Sequence, residues 1–533
     1  MIVAVVRRLI VFLLLFALIT VAAIGLAGLL ERAIAFGSVL VDDSTGLARS
    51  LAFVLIGAPL AWLLWRWERR RLSDDAERSS LLWSLYLAAM TLTSLIVFVT
   101  AAVGAVASGI DGEWRPGEVA TAVVWAGVWL WHRRMLRPAT APTRLPALGT
   151  ELSALFGLLV AATGAASALD VLVSEAVATV APVLVDSRPW HVAVLQALVW
   201  AAAGAVVWWW HWVRERAGTA TGGFATVLLV IVVAGSAAAA LFGIGTALYT
   251  VLRLLFDDDP AAEVLGPLGV AVGAALIGAI VWVAHVRMLP ARGVRVQGAA
   301  RLAVSGVALV GAASGFGVVV NALLANLDGA LLADDPRTLL LGGLSAMLVG
   351  AVAWWLAWRP AHPVSAEESG DSARRVYLVA VFGVSAVVAL VTLLLIGYRV
   401  FETLLGAVGD DGADGGLLER IRGPLGLLSA TVLVSIYHFA VWRRDRAVAP
   451  PVTRQHRVER VVLVVGRGSN ALAARIEQET GARVTLWEAA DDRTAAREAD
   501  AEEIIERLKG LTAQRALVVA GAGQAARVVP LVG

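Results

Sequence analysis

The stretch that decides the fold is "GAVVWWWHWVRER", residues 204–216, in which four tryptophans and one histidine lie between small apolar residues and a group of arginines. Tryptophan combines a large apolar ring system with a single N–H donor, and it concentrates at the headgroup level of lipid bilayers. Arginines just beyond such a stretch can bind anionic headgroups. The stretch therefore predicts the end of a helix that crosses a membrane.

The composition of the whole chain supports this prediction. Hydrophobic residues make up 59% of the 533 residues and charged residues only 16%. The mean hydropathy of +0.78 is far above what a soluble domain requires. Counting apolar stretches of about 20 residues, the length that spans a hydrocarbon core, predicts about 12 transmembrane helices. The chain contains no cysteine, which excludes disulfides, thiolate metal sites and cysteine nucleophiles.

The ending of the opening stretch recurs at every second apolar stretch, and most of the 20 tryptophans fall in these endings. An arginine marks the same point in each, 67 to 84 residues apart, at Arg66, Arg133, Arg214, Arg287, Arg359 and Arg443. We predict an all-α polytopic membrane bundle of six tandem helix hairpins, approximately residues 1–72, 73–140, 141–217, 218–290, 291–365 and 366–445. Gly57, Gly204, Gly278 and Gly350 would let neighbouring helices approach closely.

The charges of the short loops predict the orientation. Loops after even-numbered stretches are rich in arginine, whereas loops after odd-numbered stretches are acidic, as in "LLFDDDPAAE" (254–263) and "GAVGDDGADGG" (406–416). Because cytoplasmic loops keep basic residues, we expect both termini in the cytoplasm and the chain in a bacterial inner membrane. The basic residues are arginines apart from Lys509. We attribute this preference for arginine to coding bias and not to a nucleic-acid-binding surface. The predicted partner is therefore the lipid bilayer, and we predict no nucleic-acid partner.

This pattern of tandem two-helix units, each ending in a Trp- and Arg-rich segment, resembles the bacterial membrane family known as domain of unknown function 5671. The resemblance covers roughly residues 1–445. It rests on the repeated hairpin, and the second and sixth units depart from it because they lack the glycine that precedes the terminal turn. The resemblance implies an architecture. It implies no reaction and no catalytic residue.

Histidine is the chemically versatile residue of the repeated endings, at His132, His211, His285 and His438. Histidines in helix bundles can ligate haem or chlorophyll-type metals. These four lie within a turn or two of the arginines, so we interpret them as interfacial anchors, with cofactor ligation and proton handling as alternatives. No nucleophile accompanies them, and the acids at 257–259 and at Asp410, Asp411 and Asp414 are typical of solvated loops. We therefore predict no catalytic residue and no metal site.

The composition of the chain changes from apolar to polar after residue 445. Residues 446–457 read as a polar linker, and residues 458–533 predict a small cytosolic α/β domain of strand, glycine turn, helix, strand, helix and one or two further strands. Gly466, Gly468 and Ala471 fit the G-x-G-x-x-A dinucleotide pattern, Arg467 could bind phosphate, and Glu488 follows at the ribose-binding distance. The same glycines suit a purely structural turn, and the domain is too short for a complete dinucleotide fold. A nucleotide is the favoured ligand class.

These observations favour a non-enzymatic scaffold or sensor that displays a cytosolic domain for a ligand or a protein partner. A permease or channel for a small solute is the alternative. It is disfavoured because the apolar stretches lack charged residues at mid-depth, where secondary transporters place ionisable groups. A membrane oxidoreductase that uses a nucleotide cofactor at the glycine turn comes third.

Overall fold

The computed structural model describes residues 2–35, 44–181, 189–220, 222–328, 336–359, 372–406, 416–448, 458–465, 470–488, 500–511, 513–521 and 524–531. The chain forms two compact units. The first consists of the helices up to Arg444 and the second of the residues from Asp445 onward.

Among the described residues, twelve long helices follow one another before the second unit. They are α1 Ile2–Ile34, α2 Ser44–Arg71, α3 Leu81–Ile110, α4 Pro116–Arg134, α5 Leu148–Val180, α6 Trp190–Arg214, α7 Gly223–Phe256, α8 Leu268–Val286, α9 Val294–Asp328, α10 Pro336–Trp358, α11 Ser372–Gly406 and α12 Leu417–Val448. A π-helical turn interrupts α2 at Phe53–Gly57, and another ends α6 at Trp210–Arg214. The all-α character predicted for this part of the chain is confirmed.

Eleven of the helices in the described part of the chain are long and apolar enough to cross a membrane. The exception is α4, which has 19 residues, an acidic Glu118 in its first turn and His132, Arg133 and Arg134 in its last turn. The predicted number of about 12 transmembrane helices thus corresponds to eleven candidates. The division into six hairpins stays a prediction.

Glycines let consecutive helices touch through their backbones. A Cβ at Gly204 of α6 would lie 2.7 Å from the carbonyl carbon of Val160 in α5. A Cβ at Gly278 of α8 would lie 2.6 Å from the backbone nitrogen of Ala240 in α7, and Gly350 meets the backbone of α9 in the same way. Because backbone cannot move aside as a side chain can, these positions require glycine. The prediction of close approach is confirmed there, while Gly57 is looser, at 3.4 Å from α1.

The second unit is a small α/β domain. Its elements are β1 Arg460–Val465, α13 Asn470–Thr480, β2 Arg483–Glu488, α14 Asp500–Lys509, β3 Arg515–Gly521 and β4 Gln524–Leu531. The sheet has the order β2-β1-β3-β4. β1 runs parallel to both β2 and β3, and β4 pairs with β3 antiparallel. The predicted succession of strands and helices is confirmed, including the fourth strand.

Both helices of this domain cover the same face of the sheet. Val461, Leu463 and Val465 of β1 are fully buried, and they belong to one core with Ile476 of α13 and Ile504 of α14. Successive side chains of a strand point to opposite faces. The alternate residues of each strand therefore form a second face, which neither α13 nor α14 covers.

Candidate functional site

The four histidines of the repeated endings are buried between helices, with exposed fractions of 0% to 3%. Each Nδ1–H donates a hydrogen bond of 2.8 to 2.9 Å to the carbonyl oxygen of the valine four residues earlier, Val128, Val207, Val281 or Val434. This bond fixes the tautomer and leaves Nε2 as a hydrogen-bond acceptor. The rings are therefore not the lipid-facing anchors that we expected, because the packing of neighbouring helices encloses them.

Three of these histidines recur at a constant spacing. His285 follows His132 by 153 residues, and His438 follows His285 by 153 residues. The position twelve residues before each histidine is Ala120, Gly273 or Gly426. A Cβ at Gly273 would lie 3.2 Å from the carbonyl carbon of Ala166 in α5, and a Cβ at Gly426 would lie 3.1 Å from that of Gly317 in α9.

We call α1–α4, α5–α8 and α9–α12 the first, second and third helix groups. In each, the fourth helix packs on the first.

In the first helix group, His132 has a hydrogen-bond partner at both ring nitrogens. The hydroxyl of Tyr86 in α3 donates to Nε2 at 3.2 Å. Trp131 packs edge-on against the ring of His132 at 4.7 Å and against Trp65 of α2 at 5.4 Å. Phe12 and Trp83 complete the cluster by stacking on Tyr86.

In the third helix group, a similar set of rings surrounds His438. Tyr437 packs edge-on against His438 at 5.1 Å and against Trp354 at 5.6 Å. Tyr377 lies 5.9 Å from the histidine ring, but its hydroxyl pairs with Ser305 at 3.2 Å. Nε2 of His438 is buried and has no hydrogen-bond partner among the described residues.

In the second helix group, His285 faces a small cavity. Its Nε2 is also buried, without a hydrogen-bond partner in the described part of the chain, and Trp212 packs at 5.6 Å from the ring. Glu151, His285 and Arg292 are the ionisable residues among those that line the cavity of about 20 Å³, which suffices for a single water molecule. A porphyrin cannot fit in this volume. The cavity can hold one water molecule, and an imidazole, a carboxylate and a guanidinium are among the groups that line it.

His211 belongs to a charged network between α4 and the end of α6. The Arg133 guanidinium donates to Nε2 of His211 at 3.3 Å and also binds the carboxylate of Glu215. The indole N–H of Trp210 donates to the same carboxylate at 2.9 Å. This network joins the first and second helix groups and leaves no free nitrogen on His211.

Four tryptophans of the repeated endings each stack against the guanidinium group of the arginine that follows four residues later in the chain. The guanidinium carbon lies 4.2 to 5.5 Å from the ring centre in the pairs Trp62–Arg66, Trp67–Arg71, Trp129–Arg133 and Trp355–Arg359. Residues i and i+4 are neighbours on a helix surface, so this W-x-x-x-R spacing was legible in the sequence. The V-x-x-x-H spacing of the buried histidines was legible in the same way.

The acidic loop after α7 forms ion pairs with two arginines. Arg253 donates a hydrogen bond of 2.9 Å to Asp257 and also binds Asp259, while Asp258 lies 3.5 Å from Arg337. The hydrogen bond from Arg253 lowers the pKa of the Asp257 carboxyl. Among the described residues, no group of three or more His, Asp or Glu side chains is placed to hold a metal ion. Asp410, Asp411 and Asp414 lie outside the described residues.

The glycine turn of the α/β domain is described in part. Gly466, Arg467 and Gly468 lie outside the described residues. Ala471 is the second residue of α13, and Glu488 is the last residue of β2. Glu488 is in register with Val465, the last residue of β1. The backbone thus brings the predicted acid beside the strand end from which the turn departs.

Comparison with known proteins finds one family in two segments of the helical part of the chain. Residues 8–131 and 298–433 match the family described as Domain of unknown function (DUF5671). These segments correspond to most of the first and third helix groups, so the resemblance inferred from the sequence is confirmed over these two segments. Residues 132–297, which contain the second helix group, lie outside both matched segments. No curated protein and no solved structure matches the chain.

Proposed function

We propose that this multi-pass membrane protein, which carries two segments of the domain of unknown function 5671 family, is a non-enzymatic scaffold or sensor of the bacterial inner membrane. Its helical unit displays the α/β domain on the cytoplasmic side, where the domain binds a mononucleotide, another small phosphate ligand or a protein partner. The observation that carries the proposal is the strand order β2-β1-β3, with Gly466, Arg467 and Gly468 following the central strand β1 in the sequence.

Strand order supports a ligand at this point. In open α/β sheets, ligands bind beyond the carboxyl ends of the strands, where consecutive connections leave a strand in opposite directions. The chain passes from β1 to its neighbour β2 and then returns to β3 on the other side of β1. The strand order therefore reverses beyond the carboxyl end of β1. Gly466 follows Val465, the last residue of β1, at this position.

The residue types suit a phosphate group. Gly466 and Gly468 would allow a close approach of the backbone, and the start of α13 offers unpaired N–H groups to an anion. Arg467 would bind phosphate oxygens, Ala471 would keep α13 close to the sheet, and Glu488 would accept a hydrogen bond from a ribose hydroxyl. The parallel strands β1, β2 and β3 provide one mononucleotide half rather than two. A mononucleotide therefore fits this sheet better than a whole dinucleotide.

Equilibrium dialysis of the full chain in nanodiscs against radiolabelled ATP, AMP, cyclic AMP and NAD tests the proposal. We expect a mononucleotide to bind and NAD to bind weakly or not at all. Saturation at 100 times the Kd would stabilise the domain by about 2.7 kcal/mol, which a thermal unfolding measurement can detect. Gly468→Val, which places a side chain where phosphate would approach, should abolish binding.

Gly510→Ala is the matched control, since Gly510 follows α14, away from the turn, and has ordinary van der Waals space for a Cβ. It should leave nucleotide binding unchanged. Micromolar NAD binding that disappears in both Gly468→Val and Glu488→Gln would overturn the proposal in favour of an oxidoreductase. If no nucleotide binds, the small-ligand arm fails, and specific copurification of a protein that depends on residues 458–533 would be required to keep a scaffold role.

A further inference from the structure

Three arginines lie side by side on the sheet face that α13 and α14 leave uncovered. Arg483, Arg460 and Arg515 occupy the first position of β2, β1 and β3, and they are in register with one another. All three are exposed. Every second residue after each arginine on its own strand lies on the same face of the sheet. We call this face, with the three arginines, the outer sheet face.

These arginines differ from the cations on the helix side of the domain. There, Arg475 pairs with Glu502 at 3.4 Å, Arg507 with Glu503 at 2.6 Å and Lys509 with Glu506 at 3.8 Å. In the described part of the chain, no acidic side chain forms an ion pair with any arginine of the row on the outer sheet face. Like charges directly opposite one another destabilise neighbouring strands. An external anion would relieve this repulsion.

Beyond the arginine row, the outer sheet face is mostly apolar. Val462 lies beside Leu517, and Val464 lies between Trp487 and Val519. Trp487 is 60% exposed and Val519 is 39% exposed. A surface with aliphatic side chains, an exposed tryptophan and arginines that form no ion pair among the described residues matches the interfacial region of an anionic bilayer, where ring systems and guanidinium groups are both stable.

We propose that the outer sheet face docks on the anionic headgroups of the bilayer that the chain itself crosses. Charge complementarity supports this occupant, because the face carries cations and apolar groups. The domain also follows the last helix that is long and apolar enough to cross a membrane, so it is tethered to a lipid surface. The arginine row lies at the amino ends of β1, β2 and β3, whereas the proposed nucleotide turn follows the carboxyl end of β1. The two proposals can therefore fail independently.

Because the chain contains no cysteine, a fluorophore can be attached at one introduced cysteine without labelling any other site. Thr485→Cys on the outer sheet face, labelled with a polarity-sensitive fluorophore, is compared in nanodiscs of neutral lipid and of lipid with 30% phosphatidylglycerol. We expect a blue shift in the anionic discs that 1 M salt reverses, because salt screens the headgroup charge. The same label at Glu506→Cys, on exposed α14, should respond to neither.

Substituting the three arginines of the row measures how much they contribute to docking. Each arginine should contribute about fivefold to the ratio of docked to undocked domain, so Arg460→Gln, Arg483→Gln and Arg515→Gln together should lower it about 100-fold. Arg475→Gln with Arg507→Gln, which removes two paired arginines of the helix side, should leave the shift intact. The wild-type lipid and salt comparison needs no variant and stands if the triple variant folds poorly. No shift in anionic discs, or an equal shift on adding single-stranded RNA to neutral discs, would overturn the proposal.

Discussion

The first and third helix groups arrange aromatic rings around a buried histidine in nearly the same way, yet they differ at one nitrogen. The tyrosine of the preceding helix lies 5.9 Å from the histidine ring in both groups, as Tyr86 beside His132 and Tyr377 beside His438. In the first group the tyrosine hydroxyl donates to Nε2, whereas in the third it pairs with Ser305 and leaves Nε2 of His438 without a partner.

This difference shows that packing places the histidine ring independently of a hydrogen bond at Nε2. The ring positions recur because apolar contacts and the bond from Nδ1 to the valine carbonyl hold each histidine in place. The second ring nitrogen is not needed for that placement, since it is satisfied in one group and unpaired in another. A buried acceptor without a partner costs about 1 to 3 kcal/mol. The third group therefore carries a cost that the first does not.

The largest expected effect concerns the contact that positions each histidine-bearing helix. Gly426→Leu would force a side chain into the backbone of α9 at Gly317, so it should destabilise the third group by about 3 kcal/mol. The first group has Ala120 at the same position, and a methyl group fits there. Gly127→Leu is the control, because nothing lies within 4 Å of a Cβ at Gly127. Thermal unfolding in detergent measures both, and equal melting temperatures would refute a glycine-specific contact.

A smaller effect should distinguish the two histidines. His132→Phe leaves the buried hydroxyl of Tyr86 without its acceptor and should destabilise the protein by about 1 to 2 kcal/mol. His438→Phe removes an acceptor that already lacks a partner, so it should be neutral or stabilising. The same unfolding measurement compares the variants. An equal loss for both would show that Nε2 of His438 has a partner in solution.

The smallest effect is a coupling energy. A double-mutant cycle of Tyr86→Phe with His132→Phe should give about 0.6 kcal/mol, the average for a hydrogen bond between membrane helices. The cycle of Tyr377→Phe with His438→Phe should give no coupling from hydrogen bonding, because Tyr377 bonds to Ser305 instead. Coupling of similar size in both groups would erase the difference between them.

Much of the architecture could be predicted from the residues. Apolar runs of membrane-spanning length became long helices, and Gly204, Gly278 and Gly350 became backbone contacts, because both depend on local composition and spacing. In the α/β domain, the hydrophobic run from Val461 and the charged segment before Lys509 predicted strand and helix correctly. The expected role of the histidines as lipid-facing anchors did not hold, because their rings are buried between helices. The i+4 spacing from valine to histidine is local and legible, but it does not reveal which helix covers the ring.

The sequence by itself determined the membrane class, the positions of the helices, the repeated Trp and Arg endings and the order of elements in the α/β domain, since each follows from the periodicity and polarity of neighbouring residues. Only the tertiary structure decided that Tyr86 binds His132 while Tyr377 turns to Ser305. It alone decided that a water-sized cavity faces His285, and that one face of the sheet is left to arginines and Trp487. The physical reason is that helical and strand periodicity assign a residue to a face, whereas its partner across that face comes from a distant part of the chain.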